Sequence, residues 1–220
     1  MTASAMELRL IEDNLHAGAA FTLPEDGINR VVYVAHGSIR AGGLELKDDQ
    51  AWHGRGAVQI AAGAHGAALW RFELAPAGAK PTLVGGSAGG SRLKLVSALE
   101  DLPIADPLLV RADSVAFPPG GCAYLHTHQG PGIRCLIEGG VRIDTAGHST
   151  SYAPGGAWFE AGPIPVFAQA AGDRASRFIR VMILPARLKG VSSLSYVNAV
   201  DRDKPKSQSY KIFVDAPIDL

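Results

Sequence analysis

Two stretches of this chain follow nearly the same plan, and no other feature limits its folding as much. "QAWHGRGAVQIAAGAHGAALWRFELAP" (Gln50 to Pro76) and "GAWFEAGPIPVFAQAAGDRASRFIRVMILP" (Gly156 to Pro185) share an Ala-Trp start, a small-residue turn built on Ala-Ala-Gly, and an apolar run closing on proline. Upstream of each lies a strand-turn-strand unit, "VVYVAHGSIRAGG" in the first half and "CLIEGGVRIDTAG" in the second. Two such units about a hundred residues apart predict duplication of one β-domain. The 220 residues are enough for two small cores.

The 26 glycines and 14 prolines punctuate short runs rich in β-branched and aromatic residues, the pattern of a sandwich or barrel. Strands are expected at "INRVVYVAHGSIRA", "AVQIAAG", "AALWRFELA", "LLVRADSVAF", "IRCLIEGGVRID" and "SRFIRVMILPA". "SRLKLVSALEDLP", with apolar residues near helical spacing and Pro103 at its end, predicts a short helical connector. "LVGGSAGGSR" reads as a flexible linker. The expected division is an N-terminal domain over residues 1–90, a C-terminal domain over 91–190, and a tail over 191–220 that clasps the other barrel or a neighbouring subunit.

Lys plus Arg equals Asp plus Glu at 21 each, and the charges are scattered, so no footprint for nucleic acid or an anionic membrane is present. A small-molecule ligand is the expected partner. The longest weakly polar stretch, Ala57 to Trp70, is broken by Gln59 and His65 and falls short of the roughly 20 apolar residues of a membrane span. No export signal is evident at the N-terminus. Cys122 and Cys135 form no disulfide framework, which points to a reducing, cytoplasmic setting.

Chemistry concentrates in "GCAYLHTHQGPGIRCLIEGG", Gly121 to Gly140. In a strand, residues i and i+2 share a face roughly 6.6 Å apart, so His126 and His128 project together. Two imidazoles so placed can converge on one ion at about 2.0–2.1 Å per bond, or can be ordinary hydrogen-bonded histidines.

The surroundings resemble the cupin family of double-stranded β-helix (jelly-roll) barrels. Its first motif runs Gly, five residues, His-x-His, three or four residues, Glu, six residues, Gly. Here Gly120, His126-Thr127-His128, Gly132 and Gly139 keep that spacing. The resemblance implies an all-β chain of two cupin jelly-roll barrels in tandem, a bicupin whose first barrel is degenerate and metal-free, and a homodimer. Two departures stand out. Gly132 occupies the place of the family's glutamate ligand, and Val166 (or Phe167, one residue on) that of its last histidine.

Alternation from Gly132 puts Arg134, Leu136 and Glu138 on the barrel-lining face, and Trp158 and Glu160 on the interior side of the second motif. Glu160 is then the best substitute oxygen ligand, unless Arg134 claims it as an ion pair. The expected metal ligands are His126, His128 and Glu160, holding a divalent transition metal (Fe, Mn, Ni or Zn). Arg134 is the expected anchor for an anionic substrate, with Trp158 as a cap or plain core and Gln129 as a polar neighbour. His126, His128 and Arg134 are the candidate catalytic residues. The resemblance implies dioxygenase-like or lyase/isomerase chemistry on a small anionic or oxygenated metabolite. A non-catalytic, metal-free ligand-binding or regulatory barrel is the alternative.

Overall fold

The computed structural model describes residues 5–99, 102 and 106–220. Internal contacts divide the chain into two compact units, Met1–Ile104 with Leu220, and Ala105–Asp219. The first unit carries strands β1 (Met6–Leu15), β2 (Ala20–Leu23), β3 (Asn29–Ala41), β4 (Leu44–Lys47), β5 (Gln50–Arg55), β6 (Val58–Pro76) and β7 (Gly89–Leu99). The second carries β8 (Leu108–Phe117), β9 (Cys122–His128), β10 (Gly132–Glu138), β11 (Val141–Thr145), β12 (His148–Tyr152), β13 (Ala157–Glu160), β14 (Val166–Ala170), β15 (Ser176–Pro185), β16 (Leu194–Tyr196) and β17 (Ser209–Ile218). Among the described residues helical structure is confined to three 3-10 turns, and no helix is long and apolar enough to cross a membrane.

The repeat in the sequence reappears in how strands are paired. In the first unit the neighbours run β5-β3-β6-β1-β7, and in the second β13-β10-β15-β8-β17, all antiparallel. The first unit holds both of its layers on two long strands. The early half of β3 pairs with β5 and the late half with β4, with register shifts between Val34 and His36 and between Gly37 and Ile39 marking the bend. Gly37 is required there: it has φ of 86°, and a Cβ on it would lie 2.3 Å from the Gly66 carbonyl oxygen.

The helical connector is not formed. Residues 89–99 are strand β7, which pairs with β1 from Met6↔Leu99 to Leu15↔Gly89. Helical spacing of the leucines is overridden by ladder hydrogen bonds and by cross-strand partners. Arg92 Nη2 and Lys94 Nζ reach Glu12 at 3.1 and 2.9 Å. Pro103, expected to end the helix, lies outside the described residues. The glycine-rich stretch is likewise not a free linker, because a Cβ at Gly89 would lie 2.0 Å from the Asn14 carbonyl oxygen. The first unit thus runs past the expected boundary at residue 90. Residues 191–220 are no separate tail either: β16 pairs with β9 and β17 with β8, within the second unit.

One apolar cluster of the first unit has Val32, Val34, Leu69 and Ile60 at its centre. An ionic network is buried in the same unit. Glu73 receives Arg9 (Nε 2.7 Å) and Arg30 (Nε 3.0 Å) from the two strands flanking β6, and Arg71 from its own strand. Arg71 in turn grips Asp13 with two hydrogen bonds, of 2.8 and 3.0 Å. These side chains are at most 1% exposed. Burial raises the Glu73 pKa, but the guanidiniums of Arg71, Arg9 and Arg30 outweigh it and hold the carboxyl below its ordinary value. Arg30 is a structural ion-pair partner.

The second unit is a sandwich. One sheet contributes Val115, Phe117, Leu136, Trp158 and Phe178 to the core, and the other Ala123, Val141, Ile143, Val166 and Ala168. The β10–β11 hairpin turns at Gly139 (φ 82°) as its Gly-Gly sequence predicts. Glu138 does not line the interior. A register shift against β15 between Leu136 and Glu138 swings it to the surface, where it pairs with Arg177 at 2.9 Å.

Candidate functional site

The two histidines owe their orientation to a bulge. Val166 pairs with His126 and Ala168 with Ala123, so two residues of β9, Tyr124 and Leu125, oppose the single Phe167 of β14. Ala123, His126 and His128 can therefore all face inward. Each histidine is 5% exposed. Their Nε2 atoms stand 3.2 Å apart, with the rings crossed at 85°. His126 Nδ1 lies 2.7 Å from the Tyr124 carbonyl oxygen, which fixes its proton on that nitrogen and leaves a lone pair on Nε2. His128 Nδ1 lies 3.4 Å from Ser193 Oγ. Burial lowers the pKa of both rings. For His126 the nearby Tyr124 carbonyl and Glu160 oppose it, whereas for His128 the charges of Arg134 and Arg180 push the value further down. Both imidazoles are neutral at pH 7.

Glu160 comes from β13, where it sits directly opposite Gly132 of β10. A carboxylate from the neighbouring strand thus stands beside Gly132. Trp158 Nε1 donates to Glu160 Oε1 at 2.8 Å, and Arg134 Nη2 lies 2.7 Å from Oε2. That close contact is not aligned as a hydrogen bond, since both atoms lack a hydrogen-bond partner. Glu160 Oε2 is also 3.6 Å from His128 Nε2. Arg134 is 1% exposed, donates from Nη1 to the Gly132 carbonyl at 2.6 Å, and is pushed down to about 10 by burial against the pull of Glu160. Behind it Arg180 grips Asp113 at 2.6 and 3.0 Å.

These groups border a cavity of about 20 Å³ that Val166 also lines. Such a space holds one water or one ion and no organic molecule. Several expected roles change accordingly. Arg134 is enclosed and occupied, so it cannot anchor an organic anion inside the barrel. Trp158 is packed against Tyr152 and Phe178, with ring centroids 4.7 and 5.2 Å away, and serves as core and as holder of Glu160, not as a cap over ligand. Gln129 lies outside the cavity and accepts from Arg187 Nη1 at 3.0 Å on the surface. Sequence reasoning missed Ser193, Asp113 and Arg180. Asp113 and Arg180 stand on expected strands, but which face they take depends on pairing. Ser193 belongs to a segment read as a tail.

Ligands about 2.0–2.1 Å from one ion at a tetrahedral angle are about 3.3 Å apart, and the two Nε2 atoms match that spacing. Each candidate ligand has an outer partner: Tyr124 O for His126, Ser193 for His128, Trp158 and Arg134 for Glu160. Among the described residues no three His, Cys, Asp or Glu side chains are gathered tightly enough to hold an ion without movement, so Glu160 Oε2 has to close toward the pair. With that shift the residues fit a two-imidazole, one-carboxylate site.

The fold is cupin-like and all-β. Among solved structures the chain is similar to a mutant of oxalate decarboxylase from Bacillus subtilis, with TM-score 0.62 and 16% identity over 91% of this chain and 74% of that one. It is also similar to the same enzyme at pH 4.6, with TM-score 0.61 and 15% identity over 92% and 73%. A third structure, described as a structural element that modulates proton-coupled electron transfer in oxalate decarboxylase, gives TM-score 0.63 at 15% identity over 91% and 74%. At such identities the likeness concerns the fold alone. No protein-family model and no curated protein matches the sequence.

Proposed function

We propose that the chain is a duplicated cupin, a bicupin, whose second unit is a metal-dependent enzyme acting on a small anionic or oxygenated metabolite. The metal is a divalent transition ion (Fe, Mn, Ni or Zn) held by His126, His128 and Glu160. The observation that carries this reading is the 3.2 Å approach of two neutral, inward-facing Nε2 atoms. A bound ion would supply Lewis acidity or oxygen activation, which suits dioxygenase-like or lyase/isomerase chemistry. The chain's own residues do the rest. Tyr124 O sets the His126 tautomer, Ser193 Oγ lies against His128 Nδ1, Trp158 orients the carboxylate, Arg134 balances its charge, and the apolar wall of Val166, Ile143 and Phe178 lines the cluster. A cytoplasmic homodimer, free of nucleic-acid and membrane partners, completes the proposal.

Elemental analysis of protein purified at neutral pH without chelator tests it. The expected result is about one equivalent of metal, falling below about a tenth of an equivalent in His126→Ala and His128→Ala. Less than a tenth in the unaltered chain overturns the reading. Trp158→Phe keeps the aromatic packing but drops the N–H that holds Glu160. It is expected to weaken metal binding by about 10- to 100-fold in a competition titration.

One observation favours a metal-free anion-binding barrel instead. Arg134 already lies against Glu160, and the chain Ser193, His128, His126, Tyr124 O is satisfied by its own hydrogen bonds if His128 carries its proton on Nε2. The same metal measurement decides between the two.

A further inference from the structure

An organic molecule that reaches this cluster must sit outside the 20 Å³ cavity, and the second unit has a place for it. Residues of the chain's last thirty positions join β8 and β15 to enclose an open pocket of about 390 Å³, within the range of small-molecule sites. Arg180, Leu194 and Tyr210 border both this pocket and the inner cavity, so they form the partition between them.

The chemistry of the lining is specific. Its cations are Arg111, Arg180 and Lys206, and its one acidic residue is Asp113. Arg111 is offset by Asp215 at 3.0 Å and Arg180 by Asp113, which leaves the charge of Lys206 in excess. Lys206 has no carboxylate partner among the described residues. It donates to the backbone oxygens of Asp201, Arg202 and Lys204, and its ammonium lies 4.4 Å from the centre of the Tyr196 ring. Arg180 hydrogen-bonds Asp113 through Nε and Nη2, so its Nη1 edge is not spent there. Tyr210 and Ile212 are 50% and 57% exposed and add apolar surface.

We propose that this pocket binds a small organic carboxylate with an aromatic body. The carboxylate meets the field of Arg180 and Lys206, and the body lies against Tyr196, Tyr210 and Ile212. This deepens the reading above by naming the substrate class, and rests on it only for the statement that the bound acid is a substrate. Binding itself needs no metal.

Calorimetric titration of the full chain with 4-hydroxybenzoate tests the pocket, with 4-hydroxybenzyl alcohol as the control lacking a carboxylate. Saturable binding of the acid and none of the alcohol is expected. Ile212→Trp, a surface change that fills the pocket without touching the core, abolishes it. His126→Ala leaves it intact, since that ring does not line the pocket. Absence of 4-hydroxybenzoate binding, equal binding of the alcohol, indifference to Ile212→Trp, or loss in His126→Ala each overturns the proposal. Metal content of the same samples reports separately on the metal reading.

Discussion

Replacing Glu73 by alanine should cost the first unit about 3–5 kcal/mol of stability, the range seen when one partner of a buried ion pair is removed. The reason lies in the register. Glu73 pairs across the sheet with Arg9 on one side and Arg30 on the other, and Arg71 adds a third guanidinium from the same strand. Removing the carboxylate leaves three enclosed cations with only Asp13 and the partly buried Asp26 and Glu7 nearby. Urea unfolding followed by fluorescence of Trp52 and Trp70 measures the loss. An unchanged midpoint would show that the network is not formed. The pH dependence follows from the lowered Glu73 value. Its contribution is fully present above the unfolded carboxyl value of 4.5 and disappears as pH falls through the lower folded value. Acid should therefore unfold the first unit of the unaltered chain, whereas a Glu73→Gln variant should lack this component of the acid transition.

Gly132→Glu, which puts a carboxylate where the cupin motif has one, should destabilise the second unit and fail to create a better metal site. A Cβ at this position would lie 2.6 Å from the Val181 backbone oxygen, 2.7 Å from Met182 Cγ and 3.0 Å from Arg134 Nη1. The backbone oxygen belongs to the β10–β15 ladder and cannot retreat. Gly132→Ala alone is expected to cost about 1–3 kcal/mol, and the glutamate more, because it adds a second carboxylate beside Glu160. Thermal unfolding and metal content are the readouts. A Gly132→Glu protein as stable as the parent and richer in metal would refute the view that Glu160 has taken over from across the strand pair.

Both predictions rest on contacts of different visibility in the sequence. Strand positions were readable because alternation, glycine turns and the repeat agree with one another, as for Asn29–Ala41 and Ser176–Pro185. The shared face of His126 and His128 was readable from spacing alone. Their approach was not, because it depends on the bulge at Tyr124 and Leu125, which only pairing with β14 reveals. Arg9, Asp13, Arg71 and Glu73 drew no attention in the sequence, because a linear pattern carries no sign that charges on these strands are buried. Residues 89–99 misled for a related reason: leucines at helical spacing also suit a strand whose faces are both partly exposed, and the open side of β1 decided between them. Gly132 and Glu160 are 28 positions apart and became a pair only when the sheet order was known.

The last strand has a bearing on how the protein is made. β17 covers β8 from Leu108↔Ile218 to Ala116↔Ser209, so the first strand of the second unit waits about a hundred residues of synthesis for its neighbour. Until then the nascent chain exposes a bare, hydrophobic strand margin next to Leu109 and Val110, open to pairing with other chains. The first unit closes earlier, since β7 is completed well before synthesis reaches the histidine pair. A ribosome stalled late in the message would therefore hold one finished half and one that needs protection by chaperones.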